Sequence, residues 1–195
     1  MSRLRMILLC LLVVPLCHAQ MKDSERLGIA IEYFQSGKYQ EARNILLELD
    51  KSYTLNPRFR AYLGVCCFYE WDFTKAVEVL DSVIPQLTTL SPQERSVYAY
   101  AAAESHFVLA HYGEAIPYFV QVLSLCHPDE RGEAYFKLAF CHLSEEDYVR
   151  AYGCLEQSLS YYERYQCTPE HQGRMVQIRN MLLGAEARVK RLIRE

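Results

Sequence analysis

Cysteine and histidine are the side chains of this chain that could do chemistry, by ligating a metal, closing a disulfide or pairing as nucleophile and base. There are eight cysteines: Cys10 and Cys17 near the start, then Cys66, Cys67, Cys126, Cys141, Cys154 and Cys167. None stands in a C-x-x-C pair, so the spacing indicates neither a zinc site nor a thioredoxin-like motif. Cys66 and Cys67 are adjacent within a helical stretch, a poor geometry for bonding to each other. Small apolar fillers at tight helix contacts is the plainer reading of the set. Cys141 with Cys154 is the pair in which a bridge is to be tested first, because the two helices carrying them should pack together. His106 and His142 fall at equivalent places in successive units. Stacked helices stand about 10 Å apart, too far to share a metal ion, so both are read as satisfied, partly buried imidazoles. Glu145, Glu146 and Asp147 crowd a turn and face water. No glycine-rich phosphate loop, H-E-x-x-H or nucleophile elbow occurs. The residues therefore predict no catalytic, cofactor-binding or metal-ligating set, and no enzyme.

What must position these side chains is helical. Of the 195 residues, 51% are hydrophobic and 23% carry charges of both signs, a balance that suits a folded chain with a continuous core. An aromatic residue precedes an alanine by three positions in four places: Tyr39 and Ala42, Phe73 and Ala76, Tyr112 and Ala115, Tyr148 and Ala151. The alanines are 34, 39 and 36 residues apart. A recurrence near 34 residues marks a helical array in which each unit buries its apolar face only by stacking on its neighbours. Periodicity fills in the elements. Asp23 or Ser24 is placed to cap a first helix bearing Leu27, Ala30, Ile31 and Phe34. Gly37 breaks it, and a second helix carries Ala42, Leu46 and Leu49. Asn56-Pro57 opens a third, with Tyr62, Leu63, Cys66 and Cys67; a fourth carries Ala76, Leu80 and Val83 until Pro85 ends or bends it. Residues 85–92 form the longest linker and account for the spacing of 39. Ser91-Pro92-Gln93-Glu94 is a strong helix start. Helices follow at about 92–110, 112–125, 129–144 and 148–164, and Thr168-Pro169-Glu170 starts a last one to about 194. The expectation is an all-α chain of nine helices.

These units resemble the tetratricopeptide repeat, a helix–turn–helix of 34 residues. The match runs through Ile29-Ala30, Tyr33, Gly37-Lys38-Tyr39, Ala42 and Leu46; then Leu63-Gly64, Trp71-Asp72-Phe73, Ala76 and Leu80. It continues through Ala102-Ala103, Tyr112, Ala115 and Phe119, and through Leu138-Ala139, Tyr148, Ala151 and Leu155. The resemblance implies an α-solenoid of about four repeats (23–56, 57–90, 96–129 and 132–165) within an array over 20–168, closed by a capping helix at 169–195. Only the first repeat keeps the turn glycine, and Cys67, His106 and His142 replace a usual aromatic. By the same resemblance, the first helix of each repeat lines a concave face. That face would receive Leu27, Ile31 and Phe34, then Tyr62, Val65, Phe68 and Tyr69. It would continue with Tyr100, Glu104 and Phe107, then Phe136 and Phe140. Such an aromatic, largely uncharged groove suits a peptide or helix, although an aromatic stripe at helical spacing is as often ordinary core. The lysine/asparagine clamp that some family members use for a partner's C-terminal carboxylate is absent: its places hold Leu27, Ile31, Ala61, Val65, Tyr100 and Glu104.

The first residues read differently. Arg3 and Arg5 precede an apolar run from Met6 to Leu16, and Cys17-His18-Ala19 ends on a small residue. That order describes a secretory signal peptide at 1–19, cut after Ala19; the run is short of the roughly 20 apolar residues of a membrane span. Losing two arginines takes the formal charge from −3 to −5, which argues against a nucleic-acid ligand. Arg188, Lys190, Arg191 and Arg194 make the far end basic, as a helix C-terminus favours. The expectation is an exported, non-enzymatic scaffold for protein or peptide partners, in a bacterial periplasm or at the outer-membrane periphery, with self-association possible. A glycan-binding module and a fragment of an envelope sensor are the alternatives.

Overall fold

Each stretch that the sequence marks as helical closes its backbone hydrogen bonds locally and packs on the stretch after it. The computed structural model describes residues 22–194; the expected signal segment lies outside them. Among the described residues there are nine α-helices: α1 (Asp23–Gln35), α2 (Tyr39–Ser52), α3 (Pro57–Tyr69), α4 (Phe73–Val83), α5 (Pro92–Val108), α6 (Tyr112–Leu125), α7 (Arg131–Ser144), α8 (Tyr148–Tyr165) and α9 (Gln172–Leu192). Single turns of 3-10 helix at Ile84–Gln86 and Pro169–His171 lead out of α4 and into α9. Successive helices pair as antiparallel hairpins, α1 with α2 through α7 with α8, and each hairpin stacks on the next. The helix α9 lies on α8 and closes the row. The chain is an all-α solenoid.

Helix starts follow side chains that accept from the exposed N–H groups of the first turn. Asn56 accepts from the Arg58 N–H at 3.0 Å and Ser91 from the Glu94 N–H at 3.2 Å, each just before a proline. Asp72 and Asp147 do the same for Lys75 and Arg150, at 3.2 and 3.0 Å. The first helix departs from expectation. Lys22 is its cap residue, and Glu25 accepts from the Lys22 N–H at 3.2 Å. Asp23 is drawn off instead by Arg26 at 3.1 Å and by the Tyr53 hydroxyl at 2.6 Å.

The four turns inside the hairpins are copies of one another. Gly37, Trp71, Ala110 and Glu146 all adopt the left-handed conformation, with φ of 72°, 63°, 59° and 60°. Each is followed by an N–H that reaches back to the last turn of the preceding helix: Lys38 to Tyr33, Asp72 to Cys67 and His111 to His106 at 2.9 Å, and Asp147 to His142 at 2.8 Å. That bond is the Schellman closure of a helix end. It explains why the turn survives without glycine, although a side chain there costs about 1–2 kcal/mol.

Small residues set the helix crossings. Ala42, Ala76, Ala115 and Ala151 are fully buried. At Gly64 an added Cβ would stand 2.6 Å from Cγ of Leu80, so α3 and α4 are in contact through that glycine. The Ser158 hydroxyl donates to the carbonyl of Gly132 at 2.7 Å, joining α8 to α7 in the same way. Buried apolar clusters run the length of the stack. The first spans α1 to α5, and another, with Phe136, Leu155, Tyr162, Met175 and Ile178, fixes α9 to α7 and α8.

Candidate partner-binding groove

Four of the residues expected at the concave face meet around one cavity. Phe68 and Tyr69 from the end of α3 and Tyr100 from α5 line a space of about 390 Å³, together with Val65. The longer first turns of α5 add Gln93, Ser96 and Val97, and Glu130, Glu133 and Ala134 bound it from around the start of α7. Val122, Cys126 and Gln166 complete the lining.

The other expected residues lie outside this cavity. Leu27 and Phe34 pack onto the first core cluster, and Phe34 stacks on Tyr62 with ring centres 4.3 Å apart. Ile31 is half-buried and outside the cavity. Phe107 packs on Phe119, Tyr112 and Phe140, and Phe136 is buried. Glu104 is 8% exposed and inside an ion pair. Core packing takes most of these side chains because a solenoid of stacked hairpins has no other apolar interior, while Phe140 stays 38% exposed.

Charge is what sequence reasoning missed. The Lys137 ammonium of α7 bonds Glu104 of α5 at 2.9 Å and stands over the ring of Phe107, 4.5 Å from its centre. One helix on, Arg174 of α9 bonds Glu133 of α7 at 3.2 Å and covers the ring of Phe136 at 4.1 Å. In both, a Glu-x-x-Phe run on one helix receives a cation from the next helix that faces the groove. The repeated Glu-x-x-Phe, at Glu104 and at Glu133, was the available signal. The Tyr162 hydroxyl donates to the other oxygen of Glu133 at 2.5 Å. Burial, then the carboxylates of Glu104 and Glu133, push the Tyr100 hydroxyl above its ordinary pKa. Oε1 of Glu104 is buried without a hydrogen-bond partner among the described residues. A second, polar space of about 570 Å³ adjoins, sharing Glu133 and Gln166 and adding Glu170, His171, Arg174 and Gln177.

The candidates for chemistry lie outside this cavity, except Cys126 on its wall. Cys141 and Cys154 share an apolar cluster but are free thiols, which corrects the bridge considered for them. Burial pushes Cys66 and Cys141 up to about 12 and Cys154 up to about 11, so all three stay protonated near neutral pH. Nε2 of His106 lies 3.1 and 3.2 Å from the two carboxylate oxygens of Asp81, which also accepts the Tyr118 hydroxyl at 2.8 Å. The ring of His106 stacks on that of Tyr118. His142 is buried, and burial lowers its pKa. The basic residues Arg188, Lys190, Arg191 and Arg194 are exposed. Among the described residues no helix is long and apolar enough to cross a membrane.

No protein-family model matches the sequence, and no curated protein matches it. Solved structures do resemble the fold. MamA from Desulfovibrio magneticus RS-1 (residues 41 to its end) is 16% identical with a TM-score of 0.60, covering 88% of this chain and 93% of that one. Another crystal structure of a MamA protein is 17% identical with a TM-score of 0.59, over 86% and 88%. A putative kinesin light chain from Podosopora anserina, with nearly identical TPR-like repeats, is 19% identical with a TM-score of 0.56, over 86% and 91%. At these identities the likeness is one of fold.

Proposed function

From a tetratricopeptide-like solenoid as premise, we propose that this chain is a non-enzymatic interaction scaffold that receives a peptide or helix of a protein partner in the cavity around Tyr100. The observation that carries the reading is a preformed space of about 390 Å³ with aromatic side chains from two neighbouring helices on its wall. Pockets of that order suit one or two anchoring side chains of a partner. The proposed place of action is a bacterial cell envelope, motivated by the basic start, short apolar run and small residue at Ala19.

Two experiments test this. Affinity capture from an envelope fraction compares the wild type with a Tyr69→Ala, Tyr100→Ala variant. A partner that leaves with the double substitution supports the groove, and one retained at equal yield counts against it. Mass spectrometry of the protein from its native host tests export: a mature N-terminus at Gln20 supports it, and an intact Met1 sinks it.

A further inference from the structure

Two ion pairs, each set over an aromatic ring, bridge successive helices of the stack beside the cavity. Lys137 fills the interval between α5 and α7, lying over Phe107 and bonded to Glu104. Arg174 fills the corresponding interval between α7 and α9, over Phe136. Between α3 and α5 the same parts can be located by repeat position. Phe68 precedes Phe107 by 39 residues and Ala101 precedes Lys137 by 36, the spacings of the framing alanines. Phe68 is therefore present, but the place of the cation holds alanine. Phe68 and Ala101 both border the cavity. No cation stands over Phe68 among the described residues, and the charged side chains on the wall are Glu130 and Glu133. Glu133 is partly neutralised by Arg174, whereas among the described residues Glu130 is met only by the backbone N–H of His127, at 2.9 Å.

We propose that this cavity seats a lysine or arginine side chain of the peptide partner, which lies over Phe68 as Lys137 lies over Phe107. The inference rests on the groove reading and adds the chemistry of its occupant. A cationic head near an aromatic face gains attraction from the ring's negative π surface, more so when water is excluded. The aliphatic stem of either residue would run along Val65, Val97 and Ala101, as long basic side chains do on apolar walls. The charged side chains on the wall are both carboxylates, which favour that charge and disfavour an acidic side chain.

Pools of N-acetylated, C-amidated hexapeptides, random except for one fixed central residue, make the probe. The fixed residue is lysine, arginine, norleucine or glutamate, and binding is read by fluorescence anisotropy. The lysine or arginine pool is expected to bind at least tenfold more tightly than the norleucine and glutamate pools. Ala101→Lys supplies the missing cation from within and should abolish that binding, its folding checked by thermal melting. Phe68→Leu keeps the apolar bulk and should erase the preference for lysine over norleucine. Equal binding of the norleucine pool overturns the cation seat and leaves the groove reading standing. Unchanged binding of the lysine pool by both folded variants overturns the location. No binding by any pool to the wild type overturns seat and groove together.

Discussion

At Ala110, a single methyl group holds a backbone conformation that L-residues avoid. Its φ of 59° matches that of Gly37, and the bonds around both turns are the same. Relief of the left-handed penalty outweighs the extra unfolded-chain freedom of glycine. Ala110→Gly is therefore expected to stabilise the protein by about 0.5–1 kcal/mol, and Gly37→Ala to destabilise it by a similar amount, as read in urea unfolding. Gly64 is constrained by space. Ala there would push into Leu80, and a loss of about 1–3 kcal/mol is expected from overpacking. His142 gives the pH dependence. Burial lowers its folded pKa below the ordinary 6.5, against an opposing contribution from Asp147 and a supporting one from Arg150. The neutral ring's contribution is thus complete above pH 6.5 and is lost as pH falls toward the folded value, because the unfolded chain then binds the extra proton. Melting temperatures should drop between pH 7.5 and 5.5, and a His142→Leu variant should lose part of that slope. The sequence showed that these positions mattered without showing how. Nothing in Trp71 or Ala110 as residue types announces a positive φ, which their place in a repeated turn imposes.

Between helices, a few polar contacts bind neighbouring layers that apolar packing alone would leave free to slide. The Glu104 and Lys137 pair joins α5 to α7 with side chains 11% and 18% exposed. Removing one partner of such a pair leaves an uncompensated buried charge, whereas replacing both leaves none. Lys137→Met is expected to destabilise by about 3–5 kcal/mol. The Glu104→Leu, Lys137→Met double variant should recover most of that loss, as measured by a double-mutant cycle. Helix boundaries were legible where a cap or a proline marks them, as at Asn56-Pro57 and Ser91-Pro92. They were misread at α1, where Asp23 and Ser24 look like caps but Tyr53, thirty residues away, competes for Asp23. The ion pairs showed in the sequence only as a repeated Glu-x-x-Phe, without their cations, for the same reason. One joins two repeats and the other joins a repeat to the capping helix, and local periodicity carries no information about which side chains meet across an interval. Phe107 and Phe136 are roofed by cations that sequence spacing did not connect to them.

Across the whole molecule, stability is a sum over neighbours. The cap α9 buries Met175, Ile178 and Ala185 against α7 and α8 and ties down Glu133 through Arg174. Removing residues from 169 onward should uncover Phe136 and Tyr162. Hydrogen exchange is then expected to speed up in α7 and α8 while α1 to α4 keep their protection; uniform loss along the chain would contradict nearest-neighbour stability. The order of helices was the most legible feature, because four buried alanines recur in register and each must sit at a crossing. One interval in that order is irregular. The connection after α4 is long, and α5 has 17 residues against 13 in α1 and α3 and 14 in α7. Its early residues Gln93, Ser96 and Val97 stand on the cavity wall as a result. A perfectly periodic tape offers an extended ligand many equivalent frames and cannot tell one from the next. A single irregular interval removes that translational degeneracy, so a bound segment has one address along the array.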